Sequence, residues 1–257
     1  MTTKAMRKEV ADLATTKGRK RSGWFMAEGT KCVLDTIEHF DPVHLFATEQ
    51  WLAEHQLPAA AAAVAEACTR GELGEMSSMV LTPDVIAVYR QPQTTAFNPH
   101  ALRGRITVAL DRVQDPGNLG TIMRSADWMG VDTILASADT VDCFNPKVVQ
   151  ASMGAIARVR VIYGELPQML AQAAEHVAVC GTFLGGENVY TAALPQSAVV
   201  VMGNEGSGIS AEVAQLVSRR LLIPSYPPER PTSESLNVAT ATAIILSQFI
   251  ARRYGQS

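Results

Sequence analysis

The sequence predicts an α/β protein with a mostly parallel sheet and helices on both of its faces. Apolar runs of strand length alternate with helix-length segments along the chain. Three loops rich in glycine or polar residues directly follow strand candidates, and open α/β sheets bind ligands at the carboxyl ends of their strands. Between residues 91 and 105 the periodicity is lost. We therefore expect a small α/β domain over 1–92, a linker over 93–105 and a larger domain over 106–257.

The composition is that of a soluble globular protein. The chain has 257 residues, of which 47% are hydrophobic and 18% charged, enough to bury a core. It contains no apolar run of 18 residues, and its first residues are polar and basic. The four cysteines are far apart, without a CxxC pair. These features predict no membrane span, secretory signal, disulfide or zinc site, and they favour the cytoplasm.

Charge is distributed unevenly along the chain. The net charge is −3, but residues 1–31 carry eight basic and three acidic side chains, so the remainder carries −8. A basic end on an acidic body is typical of phosphate binding, although a solvated amphipathic helix would give the same pattern. We take Lys17, Arg19, Lys20 and Arg21 as candidate RNA contacts.

The small domain shows alternating helix and strand signals. Residues 59–67 are rich in alanine and fit either a helix or a strand. The other predictions, in order, are a helix at 5–17, a basic loop at 18–23, a strand at 24–27, a helix at 30–39, a strand at 43–48, a helix at 50–55 and a strand at 85–89.

The alternation is clearer in the larger domain. We expect strands at 106–110, 133–136, 159–162, 177–183, 199–202 and 221–223. Helices are expected at 119–129, 146–154, 166–176 and 210–217, with a last helix from Leu236 to about Arg253.

The first unusual loop runs from Asp111 to Arg124. Its centre, Asp115-Pro116-Gly117-Asn118, has strong turn chemistry. Arg124 stays charged and offers a fork of hydrogen-bond donors. A simple turn, a helix cap and a surface arginine would explain the same residues.

The second loop, Gly203–Ser210, follows the strand at 199–202. It is not a P-loop, because Ile209 follows Gly208 where that motif requires lysine. Gly206, Gly208 and Ala211 match the dinucleotide GxGxxG/A spacing, but Glu205 would repel a pyrophosphate there. The loop therefore favours a ligand without phosphates, such as an adenosyl group that carries a cation.

The third loop links the strand at Leu221–Ile223 to the last helix. Ser235 is the expected N-cap of that helix, and Asn237 follows it. The helix is apolar on almost every side, so it must be covered by its own domain or by a second subunit.

Together the three loops resemble those of the SpoU/TrmH family of RNA ribose 2′-O-methyltransferases. The motifs are Asp-Pro-Gly-Asn-Leu-Gly-Thr-Ile-Met-Arg-Ser-Ala-Asp (115–127), Met-Gly-Asn-Glu-Gly-Ser-Gly-Ile-Ser (202–210) and Ile-Pro…Ser-Leu-Asn-Val-Ala (223–239), and Ala-Ser-Met-Gly-Ala-Ile (151–156) is also similar to the family. The resemblance covers about 106–253. Residues 17–29 resemble the substrate-binding domain that many members carry.

The resemblance implies a trefoil knot in the carboxyl-terminal part, S-adenosylmethionine as the methyl donor, and a homodimer formed through the knot. It implies that Gly203, Ile223 and Leu236 bind the cofactor. The reaction centre would contain Asn118, Arg124, Glu205, Ser235 and Asn237. The loop at 225–234 is longer than the family's and rich in proline, which leaves the backbone path around the cofactor open.

The sequence leaves three alternatives open. An amino-terminal domain with basic residues favours rRNA as the substrate, with tRNA as the alternative. A non-catalytic RNA-binding or ribosome-assembly factor could keep the same fold, although the motif residues are all present. A nucleotide-dependent oxidoreductase could use Gly206 and Gly208.

Overall fold

The computed structural model describes residues 2–93, 95–227, 233 and 235–254. The chain divides into two compact units. The first takes Met1–Gln93 and Asp142–Ala157, and the second takes Thr94–Val141 and Arg158–Ser257. In the described residues no helix is long and apolar enough to span a bilayer.

The first unit is a four-stranded sheet with helices packed on it. Its strand order is β1-β4-β2-β3; β4 is antiparallel to both neighbours, and β2 and β3 are parallel. Its elements before the linker are α1 (Lys4–Asp12), α2 (Thr16–Ser22), β1 (Trp24–Glu28), α3 (Thr30–Thr36), β2 (Pro42–Ala47), α4 (Glu49–Glu54), α5 (Ala59–Ala62), β3 (Ala65–Ala67), α6 (Arg70–Met76) and β4 (Val85–Arg90).

The structure of this unit differs from the sequence-based expectations, or adds to them, at three places. The basic loop at 18–23 is wrong: these residues belong to α2, which Thr15 caps and Gly23 ends at φ +70°. The alanine-rich segment is both a helix and a strand, α5 and β3. Helix α6 was not predicted, although Thr69 and Glu72 form the capping box that begins it.

The second unit contains a six-stranded, all-parallel sheet in the order β10-β8-β9-β5-β6-β7. The α/β prediction is thereby confirmed. The remaining elements, in chain order, are β5 (Ile106–Leu110), α7 (Pro116–Trp128), β6 (Thr133–Ser137), α8 (Pro146–Ser152), β7 (Arg160–Gly164), α9 (Leu166–Ala174), β8 (Ala178–Asn188), β9 (Ala198–Met202), α10 (Ala211–Ala214), β10 (Arg219–Leu222) and α11 (Val238–Tyr254).

The segment 142–157, which includes α8, joins the first unit although the sequence suggested one boundary at the linker. Asp142 forms an ion pair with Arg19, 2.8 Å between Nη2 and Oδ2. The rings of Phe144 and Phe25 pack with their centroids 4.7 Å apart. The partners of the segment, Arg19 and Phe25, are buried, and these contacts hold the segment on the first unit.

Helix α11 begins later than expected. Asn237, not Ser235, is its capping side chain, because Asn237 Oδ1 accepts hydrogen bonds from the backbone N–H groups of Ala239 and Thr240. One side of α11 is buried within its own unit, at Val238, Ala239, Thr242, Ile245, Leu246 and Phe249. Its own domain therefore covers much of the apolar surface that the sequence shows.

Candidate active site

The first motif places Asn118 in the opening turn of α7. Asp115 is the N-cap, and its Oδ1 accepts the Asn118 backbone N–H at 2.8 Å. Pro116 occupies the first turn, where its missing N–H costs nothing. Since β5 ends at Leu110 and α7 starts at Pro116, Asn118 follows the carboxyl end of a central strand.

All three motifs meet at the Asn118 side chain. Asn118 Nδ2 donates to Glu205 Oε1 at 2.6 Å, and Asn118 Oδ1 accepts from Asn237 Nδ2 at 2.8 Å. The cluster is exposed, so its groups can reach a ligand from solution. Asn118, Glu205 and Asn237 thus form one hydrogen-bonded cluster, to which each of the three motifs contributes one residue.

The glycine-rich loop that carries Glu205 is a tight hairpin. Asn204 and Gly208 exchange two backbone hydrogen bonds, of 3.0 and 2.9 Å. A Cβ on Gly203 would lie 2.3 Å from the Gly208 carbonyl carbon and 2.4 Å from the Ile209 nitrogen, so only glycine fits there. Asn204 Oδ1 accepts the N–H groups of Gly206 and Ser207, which closes the turn.

Arg124 lies on the same helix as Asn118, nearly two turns further on, and is exposed. It makes no hydrogen bond or ion pair with any residue that the structure describes. Its guanidinium donors are therefore available to a substrate.

The predicted cofactor residues follow strands of the same parallel sheet. Gly203 comes directly after β9 and Ile223 directly after β10, and both are partly exposed. Leu236 is 48% exposed and Ser235 is exposed, just before the cap of α11. In the long loop at 225–234, residues 228–232 and 234 lie outside the described part of the chain.

The chemistry of these groups fits an S-adenosyl cofactor. The glycine-rich loop carries a carboxylate, Glu205, and no lysine or arginine between 199 and 218 that would neutralise a phosphate. A carboxylate favours a sulfonium or an ammonium group, and Gly203 lets backbone approach closely. The described residues contain no group of three or more potential metal ligands.

Helix α2 exposes some of the candidate RNA-binding residues of the first unit and buries one of them. Lys17, Lys20 and Arg21 are exposed and lie three and four residues apart, hence on one face of the helix. Arg19 is buried, and it donates to Asp142, to Thr16 Oγ1 and to the backbone oxygen of Leu13. Its assignment as an RNA contact is corrected: Arg19 stabilises the unit.

Asp111, Arg112 and Asn204, which the sequence did not single out for a role, bind the glycine-rich loop and the loop after β5 to each other. The available signal in the sequence was an acidic residue directly after an apolar strand. The cysteines are not candidates for nucleophiles: all four are buried, and burial raises the pKa of Cys32 and of Cys180 to about 11.

Sequence profiles of two families match the chain. The SpoU rRNA Methylase family matches residues 105–247, and the MRM3-like substrate binding domain matches residues 6–93. An uncharacterized tRNA/rRNA methyltransferase of Synechocystis is 33% identical over 96% of this chain and 90% of its own. A 23S rRNA (guanosine-2′-O)-methyltransferase of Bacillus subtilis, RlmP, is 37% identical over 55% of this chain and 56% of its own.

Solved structures show the same fold. A putative RNA methyltransferase of the TrmH family from Porphyromonas gingivalis has a TM-score of 0.88 and 35% identity, covering 98% of this chain and 99% of that one. An AdoMet-bound rRNA methyltransferase from Sinorhizobium meliloti has a TM-score of 0.83 and 26% identity, covering 99% and 97%. With its three motifs joined at Asn118 and more than half of its length matched by the family profile, the chain belongs to the SpoU rRNA methylase family.

Proposed function

We propose that this chain transfers a methyl group from S-adenosylmethionine to a ribose 2′-hydroxyl of rRNA, at the cluster of Asn118, Glu205 and Asn237 beside Arg124. The observation that carries this proposal is the double hydrogen bond of Asn118, which joins the cofactor loop to the start of α11. As a member of the SpoU family, the protein is an RNA 2′-O-methyltransferase that uses S-adenosylmethionine.

The reaction depends above all on placement. When bound, S-adenosylmethionine would supply an electrophilic methyl group on a sulfonium and leave as S-adenosylhomocysteine, and the 2′-hydroxyl would lose its proton to a base. The ribose oxygen must approach that carbon in line, and such positioning contributes up to about 7–11 kcal/mol in favourable cases. Asn118 and Asn237, fixed by each other and by the caps of their helices, are suited to orient the ribose and the cofactor. Ser235 and Leu236 immediately precede Asn237 and complete this side of the proposed site.

Arg124 is suited to hold an RNA phosphate and to stabilise negative charge on the 2′-oxygen. Arginine is effectively always protonated, so its contribution is electrostatic. The guanidinium geometry matches a phosphate with two parallel hydrogen bonds. This assignment explains why the side chain is exposed and has no partner among the described residues.

We expect Arg124→Ala to abolish methyl transfer while binding of S-adenosylmethionine stays within twofold of the parent value. Calorimetry measures binding, and incorporation of a labelled methyl group into rRNA measures transfer. Arg160→Ala, an exposed arginine at the start of β7, is the matched control and should retain both. Equal loss of binding and transfer in the Arg124 variant would contradict the assignment.

The substrate proposal favours rRNA over tRNA. It is supported by the family profile, by the rRNA relatives and by the substrate-binding domain, whose exposed basic side chains include Lys17, Lys20 and Arg21. Mapping of 2′-O-methyl sites in rRNA and tRNA, with and without the gene, tests it. A site that disappears only from tRNA would contradict it.

Three finer features of the resemblance stay proposals. A trefoil knot would lie among the loops after β9 and β10, and a homodimer would use the exposed parts of the same region. Cross-linking and light scattering test the dimer. The proposal of a cytoplasmic location rests on the proposed rRNA substrate.

A further inference from the structure

Asp111 is a buried carboxylate at the end of β5 that the assigned motifs do not include. Its side chain is 4% exposed. Burial of an ionised carboxylate is costly unless hydrogen bonds and charge compensate for it. Asp111 Oδ2 accepts the backbone N–H of Ser210 at 2.6 Å, and Oδ1 accepts from Arg112 Nε at 3.2 Å.

Asp111 and Arg112 form hydrogen bonds with the residues before, within and at the end of the glycine-rich loop. The Asp111 backbone N–H donates to the oxygen of Met202, the last residue of β9. Asn204 Nδ2 donates to the Arg112 backbone oxygen at 2.8 Å. Together with the hydrogen bond from Ser210, these contacts hold the loop where it begins, at Asn204 and where it ends.

Arg112 adopts an unusual backbone conformation to make its contact. Its φ is +61°, a region that costs energy for any residue with a Cβ. The conformation is held by the Arg112 N–H, which donates to Ser137 Oγ at 2.9 Å at the end of β6. The same arrangement directs the Arg112 carbonyl to Asn204, so the strained residue is part of the loop's support.

The loop cannot adjust freely if this support is removed. The contact of Gly203 with Gly208 and Ile209 leaves no space for even a methyl group, and Glu205 in the same loop binds Asn118. A displacement of the Ser210 end would therefore move both the proposed cofactor contact and the carboxylate of the cluster.

We propose that Asp111 is a positioning residue: it holds the Gly203–Ser210 loop, through Ser210 and with Arg112, in the conformation that binds S-adenosylmethionine. The inference rests on the proposed cofactor role of that loop. Asp111 itself does not touch the reacting groups; it acts through the loop backbone.

The decisive variant is Asp111→Asn, which keeps the side chain's shape and removes its charge. Hydrogen bonds to a charged group are stronger than those to a neutral one, so we expect the Kd for S-adenosylmethionine to rise about tenfold. The KM for the cofactor should rise in parallel, while kcat at saturating cofactor and the KM for RNA stay within about twofold. Asp139→Asn is the control: it also removes one negative charge, at an exposed position two residues after β6, and should leave the cofactor Kd, both KM values and kcat unchanged.

Two further variants protect the test against simple misfolding. Ser137→Ala removes the acceptor of the Arg112 N–H and should raise the cofactor Kd less than Asp111→Asn does. Arg112→Gly removes the ion pair, keeps both backbone bonds and relieves the positive φ, so it should bind the cofactor within about threefold of the parent. Thermal melting and circular dichroism establish that each variant is folded.

An unchanged cofactor Kd in folded Asp111→Asn, or a fall in kcat alone, would overturn the inference. Failure of this inference can be distinguished from failure of the proposed function, because calorimetry of cofactor binding needs no RNA. A parent protein that binds the cofactor but methylates no rRNA would refute the substrate proposal and leave this inference standing. A parent that binds no S-adenosylmethionine would refute both.

Discussion

The basic residues next to Arg19 in the sequence suggested a wrong role for it. It lies in a run of basic residues, yet its side chain is 1% exposed and pairs with Asp142. Lys20, the next residue, is exposed. The two adjacent cations therefore belong to different functions, one to stability and one to the proposed RNA surface.

Arg19→Ala should destabilise the protein by about 2 kcal/mol or more, because it removes a buried side chain together with its hydrogen bonds to Asp142 and to the Leu13 backbone oxygen. Lys20→Ala should leave the free energy of unfolding within about 0.5 kcal/mol of the parent value and weaken RNA binding. Urea titration and filter binding at fixed salt measure the two effects. The assignment would be reversed if RNA binding became weaker in folded Arg19→Ala and stayed unchanged in Lys20→Ala.

The buried role of Arg19 could not be predicted from the sequence. Its partner is 123 residues away, and nothing local distinguishes Arg19 from Lys20. The motif residues Asn118, Glu205 and Asn237 were identified because their local patterns are specific. Their hydrogen bonds to one another, and the capping role of Asn237, depend on the folded chain.

At the scale of elements, the glycine-rich loop was predicted well because its signals are local: an apolar strand, then glycines, then a helix. Other elements depended on distant partners. Strand β8 continues to Asn188, past the expected end at 183, because Leu221 and Leu222 of β10 pair with Glu187 and Asn188. A single-sequence pattern does not contain that pairing.

Gly203→Ala should weaken binding of S-adenosylmethionine at least tenfold, because the new methyl group would overlap the backbone of Gly208 and Ile209. Gly206→Ala is the matched control. The nearest atom to its Cβ would be Asn204 Oδ1 at 3.6 Å, an ordinary contact, and binding should be nearly unchanged. Similar losses in both variants would show that loop flexibility, not close packing, governs binding. Calorimetry on the folded variants decides between them.

At the scale of the whole molecule, the division into two units was expected, but their composition was not. The sequence placed one boundary at a linker over 93–105. The structure assigns 142–157, which follows β6, to the first unit. The residues that hold it there include Asp142 with Arg19 and Phe144 with Phe25. No compositional change marks either end of the segment, so the sequence offered no signal for it.

A fragment that ends at Gln93 should therefore unfold at a lower temperature and less cooperatively than one in which 142–157 is rejoined to 1–93 by a short flexible linker. Circular dichroism melts compare the two fragments, and a rejoined fragment that carries Asp142→Ala is the control. Equal melting temperatures for the plain and the rejoined fragment would show that the segment contributes little.

The discontinuous first unit also has a consequence for biosynthesis. The ribosome completes residues 1–93 well before it reaches Asp142, so the buried guanidinium of Arg19 lacks its carboxylate until β5, α7 and β6 have been synthesised. The first unit can reach its full stability only after Ala157 has left the exit tunnel. During translation the amino-terminal part is therefore exposed for longer than its length implies, and its final folding must wait for chain that belongs to the other unit.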